Sequence, residues 1–291
     1  MKVLFLSYAT YGCYQADSLF IGIRRILGEN AVDFPKIHSL YEQTSAASNQ
    51  DWGKGFTLGG RLADISVDRS DIEAKIKNRF FDLIIYGNIH RASPFLDLVL
   101  DVYPKEKIVF IDGADDKYVI TNLLFRGHYF KREITVPVYG VHPIGFSIPE
   151  EHICATVPDK KRLFSICDPR DRKTYIYKTE QEYYAGYRES YFGVTMQKAG
   201  WDSMRHYEII ANGCLPYFLK LNECPVMALT HLPKIELLQC NELALMATKL
   251  KCPPAVDIYH DMVQRLLRYA RRNLTCVAVA KQMFERIDVE Y

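Results

Sequence analysis

The chain has 291 residues, 37 of them basic and 35 acidic, for a formal charge of +2. That balance excludes bulk electrostatic attraction to nucleic acid as the main mode of action and leaves only local basic patches. A content of 48% hydrophobic and 25% charged residues suits a globular fold with a substantial core.

The opening "KVLFLSY" is a short apolar run, as expected of a strand buried on both faces. A loop "ATYGCYQ" follows. Asp17 or Ser18 then caps a predicted helix "DSLFIGIRRILG" that Gly28 closes. The alternation continues with strand "AVDFPKI", helix "SDIEAKIKNRF" with Asp71 near its start, and strand "FDLIIYG". Helix "SPFLDLVLDVY", with Pro94 in its first turn, leads to strand "KIVFIDG". Strand–helix alternation of this kind predicts a doubly wound parallel sheet. Residues 42–61 interrupt it with a Ser-, Asn- and Gly-rich insertion, in which Trp52 and Phe56 point to a binding loop.

A Pro- and Gly-bearing stretch, "VPVYGVHPIGFSIPEEH", places a boundary near 145–160. Beyond it come "RLFSIC", a Tyr/Glu-rich helix over about 178–189, strand "YFGVTM", helix "SMRHYEIIANG" and strand "CLPYFL", then three helices. Two similar-sized α/β domains facing a cleft are expected, residues 1–150 and 151–291, with a single domain as the alternative.

Eight cysteines without a C-x-x-C pair, no signal peptide, and no apolar run long enough to span a bilayer point to a reduced, intracellular protein of the cytoplasm, or of the host cytoplasm if the source is viral. No His/Cys spacing suits zinc, and the adjacent acids of "DGADD" read as a turn, so no metal is expected. "GFSIP" has Pro149 where a serine-hydrolase elbow needs glycine, and "ATYGCYQ" lacks the dinucleotide fingerprint.

The segment "QKAGWDSMRHYEIIANGCLPYF" carries the strongest signal. Asp202 or Ser203 caps its helix, and the free N–H groups of a helix N-terminus suit a phosphate. Arg205 and Glu208, three residues apart, project from one side. The geometry suits a nucleotide, with the diphosphate at the helix tip and the glutamate on ribose hydroxyls. A surface ion pair and a structural His206 are the alternatives the pattern leaves open.

The stretch "SYFGVTMQKAGWDSMRHYEIIANGCLPYF" resembles the donor-site segment of GT-B glycosyltransferases, the exostosin-like groups included. Arg205, Glu208, Gly213, Cys214 and Pro216 occupy matching positions over residues 188–220. The resemblance implies two Rossmann-like domains facing a cleft, a nucleotide-diphosphate sugar as donor (UDP-sugar favoured), no further cofactor, and Glu208 on the donor ribose. Two departures stand out: Gly200 where many retaining members carry glutamate, and Gly12 alone where paired glycines follow the first strand. The stereochemical class is left open by them. A narrower resemblance, in "DSLFIGIRRILG" and "FKRE", is to phage-type glycosyltransferases that decorate modified DNA bases. It implies a hydroxymethylated base in DNA as acceptor; a glycan, lipid or small-molecule acceptor and a non-catalytic nucleotide-binding module are the alternatives.

A transferase needs a group to activate the acceptor hydroxyl. Asp17, His90 and Asp115, at strand exits of the first half, are the candidates, each also a plausible cap or turn former. Lys198, Ser203, Arg205, His206 and Glu208, with Lys131 and Arg132 at the domain junction, are the expected donor-binding residues. Arg265, Arg268 and Arg272 lie on roughly one helix face with Arg271 nearby, and Arg24, Arg25 and the run 159–162 add positive charge; a solvated basic face is one reading, and patches that met at the cleft mouth would track a phosphate backbone.

Overall fold

The computed structural model describes residues 1–8, 12–42 and 58–291. Trp52, Phe56 and most of the insertion lie outside the described residues.

Six parallel strands form the first sheet: β1 (Val3–Leu6), β2 (Ala31–Phe34), β3 (Leu83–Tyr86), β4 (Ile108–Asp112), β5 (His128–Lys131) and β6 (Val141–Pro143), in the order β2-β1-β3-β4-β5-β6. Register is set by pairs such as Val3↔Ala31, Val3↔Leu83 and Ile84↔Ile108. The apolar runs of β1, β3 and β4 are continuous because helices cover both faces. Val3, Phe5, Leu83, Ile85, Val109 and Ile111 pack beneath α1 (Tyr14–Leu27). Leu4, Leu6, Ile84, Tyr86 and Phe110 pack on the other side, with α2 (Ile72–Lys77) and α3 (Leu96–Val102). Strand β6 comes from a segment whose prolines and glycine read as a linker; its pairing with β5 overrides that local signal.

Helix α1 begins at Tyr14, earlier than the predicted caps at Asp17 or Ser18. The reason is local: Asp17 reaches back from inside the first turn and its Oδ2 accepts the Cys13 N–H at 2.9 Å. One of the orphan donors of the helix start is thereby satisfied.

The second sheet has three parallel strands, β7 (Arg162–Phe164), β8 (Ser190–Met196) and β9 (Leu215–Leu219). Between them lie α4 (Glu180–Arg188), opened by a Thr179/Glu182 capping box, and α5 (Met204–Ala211). Helices α6 (Lys234–Leu250) and α7 (Val256–Asn273) complete a core built on Phe192, Tyr207, Ile210, Leu215, Phe218, Leu237 and Tyr259.

The last helix, α8 (Cys276–Arg286), returns to the first sheet and packs along α1. It is anchored where Ile148 bridges to Thr275, with the Ile148 N–H donating to the Leu274 carbonyl and the Cys276 N–H to the Ile148 carbonyl. The α1–α8 crossing is close enough that a Cβ on Gly22 would lie 1.9 Å from the Cys276 carbonyl oxygen. The obstruction is backbone and cannot rotate away. Gly22→Ala should therefore destabilise the protein by roughly 1–3 kcal/mol, read as a lowered midpoint in thermal or urea unfolding; an unchanged midpoint would contradict this packing.

Candidate active site

A cavity of about 310 Å³ opens at the carboxyl ends of the strands, lined from both sheets. The first half contributes Tyr14, Asp115 and Phe146; the second contributes Lys198, Gly200, Asp202, Ser203, Arg205 and Glu208, with Tyr175, Tyr177 and Tyr183. Strand exits and the α5 N-terminus meet here, which is where open parallel sheets hold ligands.

Arg205 and Glu208 share the wall through a tyrosine relay from α4. Arg205 donates to the Tyr187 hydroxyl at 3.3 Å and to the Tyr175 hydroxyl at 2.7 Å, and its guanidinium stacks 5.1 Å from the Tyr175 ring. The Tyr187 and Tyr183 hydroxyls are 3.0 Å apart, and Tyr183 donates to Glu208 Oε2 at 2.8 Å. The relay holds a cation and a carboxylate one turn apart on one face. Tyr183 and Tyr187 escaped the reading of the sequence, although their i,i+4 spacing on a predicted helix was a usable signal. Ser203 stands at the N-cap of α5 without a side-chain capping bond, so no side chain of its own covers the helix tip. Lys198 reaches the rim, its Nζ donating to the Pro169 carbonyl at 2.7 Å.

Three expected donor-binding residues do not face the cavity. His206 is wholly buried: its Nδ1 is 2.8 Å from Thr195 Oγ1, its Nε2 is 2.9 Å from the Trp201 carbonyl, and its ring stacks on Phe218. Burial pushes its pKa down to about 4, so it is a neutral core histidine. Lys131 is wholly buried at the end of β5, with Nζ 3.2 Å from Asp112, which also accepts from Tyr129. Its charge faces Asp112, and it is not among the residues that line the cavity.

Arg132 is a strut between the sheets. Its Nη1 donates to Glu133 at 2.7 Å and to the Asp202 carbonyl at 2.9 Å, while Nη2 donates to the Gly113 carbonyl at 2.9 Å and pairs closely with Asp115. Glu133 completes the junction by accepting the N–H groups of Trp201 and Asp202 at 3.0 and 2.9 Å. A Cβ on Gly200 would lie 2.5 Å from Glu133 Oε1. The space a side chain at 200 would enter is thus taken by a carboxylate from 67 positions earlier in the chain.

Of the three expected base candidates, Asp115 lines the cavity but is committed to Arg132. His90 lies in the turn after β3, Nδ1 3.4 Å from Asp112, its pKa lowered by burial against the opposing charge of Asp112. Asp17 lies one turn beyond cavity-lining Tyr14; burial raises its pKa to about 7, against the opposing Cys13 N–H and the charge of Arg91. Asp17 itself is buried and is not among the residues that line the cavity.

Most of the expected basic patches are engaged within the fold. Arg24 is buried against Asp33, Arg25 pairs with Glu150 and Glu151, Arg162 with Glu189, and Arg265 with Asp261. Lys160 and Arg271 donate to main-chain carbonyls. Among the described residues no group of three or more His, Cys, Asp or Glu is arranged to hold a metal ion, and no helix is long and apolar enough to cross a membrane.

The raised pKa of Asp17 has a measurable consequence. A carboxyl whose pKa is about 7 when folded and near 4 when unfolded contributes stability below pH 4 that is lost as pH rises through 7. Asp17→Asn, neutral throughout, should therefore gain in melting temperature relative to wild type between pH 5 and pH 8. A difference that stays constant across that range would show that Asp17 is ionised at both ends.

No family model and no curated protein matches the sequence. Solved structures do match in fold. Anabaena HepE in complex with UDP superposes at a TM-score of 0.50, with 10% identity, over 99% of this chain and 100% of that one. HepE in complex with UDP and glucose gives 0.49 at 11%, over 99% of each chain. An α-glucosyltransferase in complex with UDP and a 13-mer DNA containing a HMU base gives 0.48 at 10%, over 99% of each. At these identities the likeness is one of fold, and this chain shares the α/β fold of HepE.

Proposed function

We propose that the protein is a GT-B-type glycosyltransferase that moves a sugar from a nucleotide-diphosphate sugar to an acceptor hydroxyl. In this reading residues 1–150 form the acceptor half and residues 151–291 the donor half, with α8 tying the second back to the first. The observation that carries it is the pairing of Arg205 with Glu208 by the α4 tyrosines, beside a helix tip without a side-chain cap.

The donor diphosphate sits at the N-terminus of α5, where main-chain N–H groups, Arg205 and Lys198 meet its charge. As the bond to the sugar breaks, the same groups stabilise the charge that develops on the leaving nucleoside diphosphate. Glu208, an acceptor-only group when ionised, takes the ribose hydroxyls. UDP is the nucleotide to test first, since the fold neighbour HepE was solved with it. On the acceptor side Asp17 removes the proton from the attacking hydroxyl.

Because so many of the basic residues that would track a DNA backbone are paired within the fold, a glycan, lipid or small-molecule acceptor is favoured over a hydroxymethylated base in DNA. Acceptor affinity that falls steeply with salt would reverse that preference.

Calorimetric titration of UDP tests the donor half. Glu208→Ala should weaken UDP binding tenfold or more, as expected for loss of a charged hydrogen-bond acceptor. Asp17→Asn should leave UDP affinity unchanged while lowering turnover by about 10²–10⁴, followed as UDP release from a UDP-sugar with acceptor present. Unchanged UDP affinity in Glu208→Ala would remove the donor-site assignment. UDP binding by a protein that turns over no sugar nucleotide would make it a binding module.

A further inference from the structure

Of the carboxylates lining the cavity, Asp115 is bound by Arg132 and Glu208 by Tyr183. Asp202 differs. Its side chain is buried, and Oδ2 accepts the Phe146 N–H at 3.0 Å and the Tyr207 hydroxyl at 3.2 Å. Oδ1 is equally buried and has no hydrogen-bond partner. Folded proteins leave few such atoms, because a buried polar group without a partner carries its full desolvation penalty.

The Oδ2 contacts hold the carboxylate, and the main chain is held as well. Its N–H is held by Glu133 and its carbonyl by Arg132, both at 2.9 Å, so the main chain is fixed on either side. It stands immediately before Ser203, the N-cap of α5, on the side of the cavity that also holds Phe146 from the first half.

We propose that Asp202 reads the transferred sugar, its Oδ1 accepting a hydrogen bond from a sugar hydroxyl. The proposal rests on the donor-site reading above: with the diphosphate at the α5 tip, the sugar extends from it toward the first half, past Asp202. Burial raises the carboxyl to about 6, against the opposing charge of Arg132. At neutral pH the group is therefore chiefly an acceptor, suited to a hydroxyl donor. The unpartnered oxygen is a positioning and specificity feature; no bond to it forms or breaks in the reaction.

Titrations of UDP, UDP-glucose, UDP-galactose and UDP-N-acetylglucosamine into wild type, Asp202→Asn and Tyr207→Phe test this. In Asp202→Asn the two donors that meet Oδ2 keep the amide oxygen in its place and turn the NH₂ toward the Oδ1 position, so a donor replaces the acceptor. UDP should bind this variant within about twofold of wild type, while the extra affinity given by the preferred sugar falls about tenfold. Tyr207→Phe, which removes a contact of Oδ2 only, should lower the melting temperature and keep the sugar's contribution. Asp202→Glu, which retains charge but displaces both oxygens, should behave like Asp202→Asn and serves if that variant does not fold. A sugar contribution unchanged in both Asp202 variants, lost equally in Tyr207→Phe, or absent from wild type for all three donors, would overturn the proposal while leaving the nucleotide site standing. Failure of UDP itself to bind wild type would instead overturn the donor-site reading.

Discussion

The cavity exists because one buried charge network joins two sheets that otherwise have separate cores. Arg132 and Glu133, just past the exit of β5, grip the main chain of Trp201 and Asp202, just before α5. Both charges are buried, and each meets partners from the opposite half as well as the other. Removing one member of such a network costs roughly 3–5 kcal/mol, since it strands the other charge in a dry site. The same contacts fix the α5 tip relative to Asp115 and Phe146, so the strength of the junction and the geometry of the cavity have one origin.

Around that junction the polar groups divide by what holds them. His206, Lys131 and Arg132 are functional in type yet turned toward partners within the protein. Arg205 and Glu208 are also held, but by hydroxyl groups at the cavity wall, which orient the charges without neutralising them. An oriented ion in a partly dry site interacts with a ligand more strongly than the same ion in water. That difference separates the residues that support the site from those that would use it.

Much of this was legible in the sequence where the signal is local. The apolar runs of β1, β3 and β4 read correctly because both faces are covered, and the 3.6-residue repeat placed Arg205 and Glu208 on one side of a short helix. What could not be read depends on partners distant in the chain. Asp202 looked like one of two possible caps; its significance comes from Phe146, 56 residues away, and Glu133, 69 residues away. Arg24 looked like surface charge until Asp33 closed over it, and Lys131 looked like a phosphate ligand until Asp112 did the same. Gly200 has a spatial reason no local pattern contains: Glu133 fills the space beside it.

A crystal structure with UDP soaked or grown in would show directly whether the α5 tip is the donor site. Diphosphate oxygens are expected at the N-terminus of α5 within reach of Arg205, and ribose hydroxyls on the Glu208 carboxylate. A nucleotide bound elsewhere, or with its ribose away from Glu208 and its phosphates away from the helix tip, would contradict it.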